Sequence, residues 1–83
     1  MIFELIYSQT ALNQLKKLDR QIQIRVLSAL ERIRIKPYPH LKKLVGCPYF
    51  RLRVGDYRVI LEIEENKLTI LVLEIGHRKN IYK

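Results

Sequence analysis

The sequence predicts an α+β fold in which a hairpin of two helices packs on one face of an antiparallel β-sheet, in the order β-α-α-β-β-β. Apolar residues recur at helical spacing through the first half of the chain, and they alternate with polar residues, as in strands, through much of the second half. The links between the later strands are short, so consecutive strands are expected to be antiparallel neighbours. The 83 residues make a single domain, residues 1–83.

The first half of the chain predicts one strand followed by two helices. Residues 2–7 form the strand, and Ser8 then has the side chain expected of a helix N-cap. Asp19 is a second cap, followed by a helix over residues 20–35 that Pro37 ends. The apolar positions that set the helical spacing are Ala11, Leu12, Leu15 and Leu18 in the first helix and Ile22, Val26, Leu27, Leu30 and Ile33 in the second.

The second half predicts a connector over residues 40–48 and then three strands. Gly55 and Asp56 are a two-residue hairpin signal between the first two of these strands. Glu65 and Asn66 mark the next turn. The three predicted strands cover residues 49–54, 57–64 and 67–75.

Charge points to a polyanionic partner. Sixteen Lys and Arg against eight acidic residues give a formal charge of +8, and residues 16–58 contain twelve of the bases but three of the acids. A basic block of this kind favours binding to polyanions and makes that binding salt-dependent. Cys47 is the single cysteine, and neither a signal peptide nor an apolar segment long enough to span a bilayer is evident. These features predict a cytoplasmic protein without a membrane partner.

The hairpin signal places two arginines opposite each other. If the chain turns at residues 55–56, Arg53 faces Arg58 across the two strands. Like charges in this position destabilise a sheet, so an anion such as phosphate is expected between them. The predicted topology also brings Gly76, His77 and Arg78 close to the same turn, because the end of the last strand lies beside the start of the preceding one.

The three motifs of this region resemble a known family. Residues 51–60 read R-L-R-V-G-D-Y-R-V-I, residues 74–78 read E-I-G-H-R, and Tyr82 follows near the C-terminus. This order and spacing resemble the RelE/ParE superfamily of toxins from toxin–antitoxin systems, and the tail is more similar to RelE-type messenger-RNA endonucleases. The resemblance implies metal-independent cleavage of mRNA in the ribosomal A site, with no cofactor, and neutralisation by a RelB-like antitoxin. In the reaction that it implies, the ribose 2′-hydroxyl attacks the adjacent phosphorus and leaves a 2′,3′-cyclic phosphate and a 5′-hydroxyl.

The resemblance also implies roles for individual residues. Arg58 matches an arginine that braces the phosphate, and Arg78 matches one that stabilises charge or protonates the leaving group. Tyr82 matches a tyrosine that stacks on a base or orients the nucleotide. Arg51 aligns with a basic position of the preceding strand. Some members carry Lys where this chain has Tyr49, so the acceptor of the 2′-hydroxyl proton is open.

His77 is a candidate for that acceptor, since it is the local side chain that titrates near neutral pH. Further contacts to RNA are expected from Arg53, Tyr49, Lys42, Lys43, Lys16 and Lys17, although the lysines could equally be solvated surface residues. The acidic residues near position 64 lack the His or Asp neighbours of a metal site, so no metal is predicted. Two other functions stay open: a ParE-like inhibitor of DNA gyrase that is not an enzyme, and an inactive relative that binds nucleic acid.

Overall fold

A computed structural model, in which residues 1–81 are described, shows a five-stranded sheet with two helices packed on one face. Within these residues, no helix has the length and apolar character that a bilayer crossing needs. In chain order the elements are strand β1 (Glu4–Tyr7), helices α1 (Gln9–Lys16) and α2 (Arg20–Arg32), strands β2 (Lys42–Lys43), β3 (Phe50–Val54), β4 (Tyr57–Glu64) and β5 (Thr69–His77), and the short helix α3 (Arg78–Ile81).

The strand order across the sheet is β1-β5-β4-β3-β2. The predicted α+β architecture is confirmed, including the antiparallel pairing of β3 with β4 and of β4 with β5. The sheet is nevertheless mixed and not wholly antiparallel, because β1 runs parallel to β5, with Glu4 opposite Thr69. The two helices supply the long crossover that separates β1 from the rest of the sheet, and a crossover of that kind permits parallel pairing.

Several element boundaries differ from the predicted ones. Lys42 and Lys43, expected in a connector, form the edge strand β2 beside Phe50 and Arg51. The second helix ends at Arg32, three residues early, and β1 and β3 begin later than predicted. The β4–β5 connection is a 3₁₀ turn, Glu65–Lys67, followed by a left-handed residue at position 68, so β5 starts at Thr69 and continues to His77.

Ser8 fixes the start of α1 and ties that helix to the sheet. Its Oγ accepts a hydrogen bond from the Ala11 N–H (2.9 Å) and donates one to the carbonyl of Leu73 in β5 (2.8 Å). Asp19 occupies the N-cap position of α2, as predicted, but its side chain makes no capping hydrogen bond. The Ser8 side chain therefore stabilises the start of its helix through hydrogen bonds, whereas that of Asp19 does not.

The hydrophobic core lies between the helices and the inner face of the sheet. Alternation along each strand sends one set of side chains into this core and the other set to the opposite face, which we call the outer face. The outer face is consequently available for charged residues. Fully buried core residues include Val26, Leu30 and Ile33 from the helical segment and Val59, Leu61, Ile70, Val72 and Ile75 from the strands.

Candidate nucleic-acid interface

The β3–β4 hairpin has the register that the sequence predicts. Val54 pairs with Tyr57, and Arg53 pairs with Arg58 on the outer face. Gly55 has φ +59°, a left-handed value at the first central position of the turn. This position of a type II′ hairpin turn favours glycine, because a side chain there would strain the backbone.

Three guanidinium groups converge on Gly55. Nε of Arg53 donates to the Gly55 carbonyl over 3.3 Å, and Nη1 of Arg58 lies 3.5 Å from the same oxygen. From α2, Nη2 of Arg25 lies 3.0 Å from the place that a Cβ on Gly55 would occupy. We call Arg25, Arg53 and Arg58 the Gly55 cluster. Glycine thus serves twice here, since it allows the turn and leaves room for Arg25.

Arg58 is the buried member of the cluster, with 8% of its surface exposed. Its Nη1 donates to the carbonyl of Tyr57 (3.3 Å) as well as to that of Gly55, and both distances exceed the usual range for such bonds. Its Nε is buried and has no hydrogen-bond partner among the described residues. A buried, unsatisfied donor costs about 1–3 kcal/mol, which a bound anion would offset.

No described carboxylate neutralises the cluster. The ion pairs in the described part of the chain join Arg34 to Glu31 and Lys67 to Glu64. Within residues 1–81, Arg58 forms no salt bridge to a glutamate of β4 or β5. A bound anion would offset the positive charge that the described carboxylates leave unpaired.

The end of β5 reaches the same hairpin, as predicted. Gly76 lies opposite Arg58 in the sheet, and His77 lies opposite Tyr57. The Arg78 N–H donates to the carbonyl of Asp56 (2.9 Å), which fixes the start of α3 against the turn. The Arg78 side chain is exposed. The backbone thus brings Arg78 beside the cluster from twenty residues further along the chain.

His77 is held by two contacts. Its ring meets that of Tyr57 edge to face, with centroids 5.4 Å apart, and its Nδ1 accepts the Lys79 N–H over 3.3 Å. Because Nδ1 is the acceptor, the neutral ring in this arrangement carries its proton on Nε2. His77 therefore presents a donor to any substrate that its Nε2 contacts.

Helix α1 anchors β5 just before these residues. β5 contains an irregularity in which Leu61 pairs with Val72 while Ile60 pairs with Glu74, so one residue of β5 is extra. Oε1 of Gln14 accepts the N–H of Ile75 (2.6 Å), directly after this bulge. Bulges redirect a strand, and this one lies immediately before the segment that reaches the hairpin. No sequence pattern indicated this role for Gln14, because the bulge itself was not predicted.

Other predicted RNA contacts lie further along the sheet. Arg51 is half-buried on the outer face beside Arg53, and Lys42 lies opposite it in β2. Nζ of Lys43 lies 5.4 Å from the centroid of the Phe50 ring. Arg51 and Lys42 thus extend the positive outer face away from the cluster, whereas Lys43 pairs with an inner-face residue.

The remaining candidates are not brought to the hairpin by any described contact. Tyr49 is partly exposed just before β3, and its carbonyl accepts the Leu44 N–H (3.0 Å). Lys16 and Lys17 lie exposed at the end of α1. Tyr82 falls outside the described residues, so its predicted role stays a prediction.

Arg25 is the site residue that the sequence did not reveal. On the sequence it is one of several basic residues outside the apolar stripe of α2. Its proximity to Gly55, thirty residues away, depends on how α2 lies over β3. No local pattern predicts that packing.

Comparison with known proteins assigns the chain to a family. Residues 5–82 match the model of the ParE toxin of type II toxin–antitoxin systems, parDE. The chain belongs to this toxin family. The toxin is 29% identical over 85 residues to Toxin RelE3 of Methanocaldococcus jannaschii, covering 95% of this chain and 94% of that protein. It is 27% identical over 82 residues to a RelE-like toxin protein of Escherichia coli, covering 95% and 86% of the two chains.

Structural comparison supports the same family assignment. The toxin superposes with a TM-score of 0.87 on a chain of the toxin–antitoxin complex RelBE2 from Mycobacterium tuberculosis, at 26% identity, covering 94% of this toxin and 100% of that chain. The resemblance to the RelE/ParE superfamily is confirmed, and with it the role of type II toxin. No three His, Cys, Asp or Glu side chains that could hold a metal gather within residues 1–81.

Proposed function

We propose that this toxin is an endoribonuclease that cuts messenger RNA on the ribosome. The observation that carries the proposal is the Gly55 cluster, in which three guanidinium groups share one turn and the buried Arg58 lacks a partner for Nε. Arginine is suited to phosphodiesters because its planar donors match two phosphate oxygens at once. RelE-like relatives support the same activity.

In the proposed reaction the ribose 2′-hydroxyl attacks the adjacent phosphorus. The bond from phosphorus to the 5′-oxygen breaks, and the products are a 2′,3′-cyclic phosphate and a 5′-hydroxyl. One proton leaves the 2′-oxygen and one joins the 5′-oxygen, so the step needs no metal or redox partner. Arg58 and Arg53 stabilise the charge that grows on the phosphate oxygens during the attack.

Proton transfer falls to another group, because a guanidinium stays charged and is a poor base. Solvent water takes the proton from the 2′-oxygen and returns one to the 5′-oxygen. The neutral ring of His77, whose Nε2 carries the proton when Nδ1 accepts the Lys79 N–H, donates a hydrogen bond to the departing 5′-oxygen. Arg78, anchored beside the turn, adds positive charge on the same side. Tyr82 is proposed to stack on a base, as the resemblance implies.

A RelB-like antitoxin is the proposed protein partner, and mRNA in the ribosomal A site together with ribosomal RNA is the proposed nucleic-acid partner. The chain matched in M. tuberculosis comes from a toxin–antitoxin complex, which supports the first of these. Inhibition of DNA gyrase is a second candidate function, because the matching family model is that of ParE.

One experiment separates the two functions. Purified toxin is added to a reconstituted translation system with a defined message, and new RNA 5′ ends are mapped. Parallel reactions measure supercoiling by DNA gyrase. Cuts that need ribosomes and disappear in Arg58→Gln support the endonuclease. An intact message, with or without loss of supercoiling, would overturn it.

A further inference from the structure

A second basic feature adjoins the Gly55 cluster. A groove of about 370 Å³ runs between α2 and the β3–β4 hairpin. None of the residues that line it carries a carboxylate. Its lining includes Arg25, Ser28, Ala29, Arg32, Arg53 and Gly55.

The shape of the groove follows from the helix sequence. Ser28 and Ala29 have short side chains and leave the middle of the groove open. Arg25 and Arg32 are seven residues apart, so they lie on the same side of α2, two turns and about 10 Å from each other along the axis. Both are exposed, and neither forms an ion pair with another residue of the range 1–81.

The groove continues directly from the cluster, because Arg25 and Arg53 belong to both. A positively charged groove that tracks a backbone is how proteins hold single-stranded nucleic acid without reading its sequence. The charge of the groove is carried by three arginines, Arg25, Arg32 and Arg53. This arrangement fits a linear polyanion that leaves Arg58 and passes along α2.

We propose that this groove binds the phosphates of the RNA strand next to the phosphodiester held by Arg58, with Arg25 and Arg32 as the contacts. The inference rests on the proposed function, to which it adds a path for the substrate. The proposed binding site lies on α2. The RNA contacts predicted from the sequence lie instead on the outer face of the sheet and on lysines at other positions.

The test uses the full-length toxin and a short single-stranded RNA with methylated 2′-hydroxyls, which binds but is not cut. Binding is measured by fluorescence anisotropy over a series of salt concentrations. For single strands, each phosphate contact contributes about 0.7 to the slope of log K against log salt. Arg25→Gln and Arg32→Gln are each expected to reduce the slope by roughly 0.7 and to weaken binding.

Lys67→Gln is the matched control. It removes the same charge at the β4–β5 turn, at the opposite end of β4 from Gly55, where Lys67 pairs with Glu64. The control is expected to keep the slope of the original protein. If Arg25→Gln and Arg32→Gln behave like Lys67→Gln, or if the RNA does not bind at all, the groove is not an RNA site.

Two further outcomes separate this inference from the proposed function. If the toxin cuts messages but the arginine variants bind RNA with an unchanged salt slope, the groove proposal is wrong and the endonuclease proposal is unaffected. If the variants show the expected smaller slope but the toxin cuts no message, the groove proposal is supported and the endonuclease proposal is wrong. Polyglutamate is the second probe: loss of its binding in the variants with RNA binding intact would make the groove a site for an acidic protein and overturn the proposal.

Discussion

Replacing Arg58 with Met should make the toxin more stable and inactive at once. The Arg58 side chain is 8% exposed, its Nε has no partner in the described structure, and its two hydrogen bonds are 3.3 and 3.5 Å long. Methionine reaches about as far as the Arg58 Nε, so it places an apolar, adaptable group where the unpaired donor lies. The exchange therefore removes a desolvation cost and gives up only weak hydrogen bonds.

The size of the effect follows from these contacts. A buried donor without a partner costs about 1–3 kcal/mol, and each net hydrogen bond contributes about 0.5–1.5 kcal/mol, with long bonds at the lower end. The balance favours Arg58→Met by about 1 kcal/mol in the free energy of unfolding. For a domain of this size, that corresponds to a rise in Tm of roughly 4–8 °C.

Thermal denaturation followed by circular dichroism measures the shift, with Arg53→Met as the control. Arg53 is exposed, so its replacement should change the free energy of unfolding by no more than about 0.5 kcal/mol. Added phosphate should raise the Tm of the original protein more than that of Arg58→Met, since a ligand of the folded state stabilises it. A lower Tm for Arg58→Met would refute the account of its burial, and retained mRNA cleavage would refute its role.

Three further predictions concern the framework around the site. Ser8→Ala should cost about 1–2 kcal/mol in chemical denaturation, because it removes a cap and a bond to the sheet, whereas Asp19→Ala should be nearly neutral; equal effects would contradict this. Gln14→Leu leaves the Ile75 N–H without its acceptor, so hydrogen exchange at that amide should accelerate. Gln14→Glu keeps an acceptor oxygen and should restore protection. An unchanged exchange rate in Gln14→Leu would show that the Gln14 side chain does not hold β5. The hydroxyl of Tyr38 donates a hydrogen bond to Glu65, which raises the pKa of Tyr38 to about 12. The stability that this bond adds is therefore present below pH 10 and is lost as the pH rises towards 12. Tyr38→Phe should remove the last step of the tyrosinate absorbance titration; if that step persists, it belongs to another tyrosine.

Much of the fold could be predicted because its signals are local. The helical spacing of apolar residues and the Gly55–Asp56 signal gave the helices, the hairpin and the pairing of Arg53 with Arg58. Strand β2 was missed because two lysines after a proline-rich segment carry no strand pattern. The later start of β5 was missed because the left-handed conformation of Leu68 is rare for a branched side chain and has no sequence signature.

The sequence by itself determined the turn at Gly55, the facing arginines and the excess of positive charge, since each depends on neighbouring residues or on composition alone. Only the tertiary structure decided that Arg25 approaches Gly55 from α2, that Gln14 anchors the bulge in β5 and that Arg58 is buried without a partner for Nε. These features arise where a helix crosses a sheet. Which side chains meet there depends on the packing of the whole core, and no short segment of the chain encodes it.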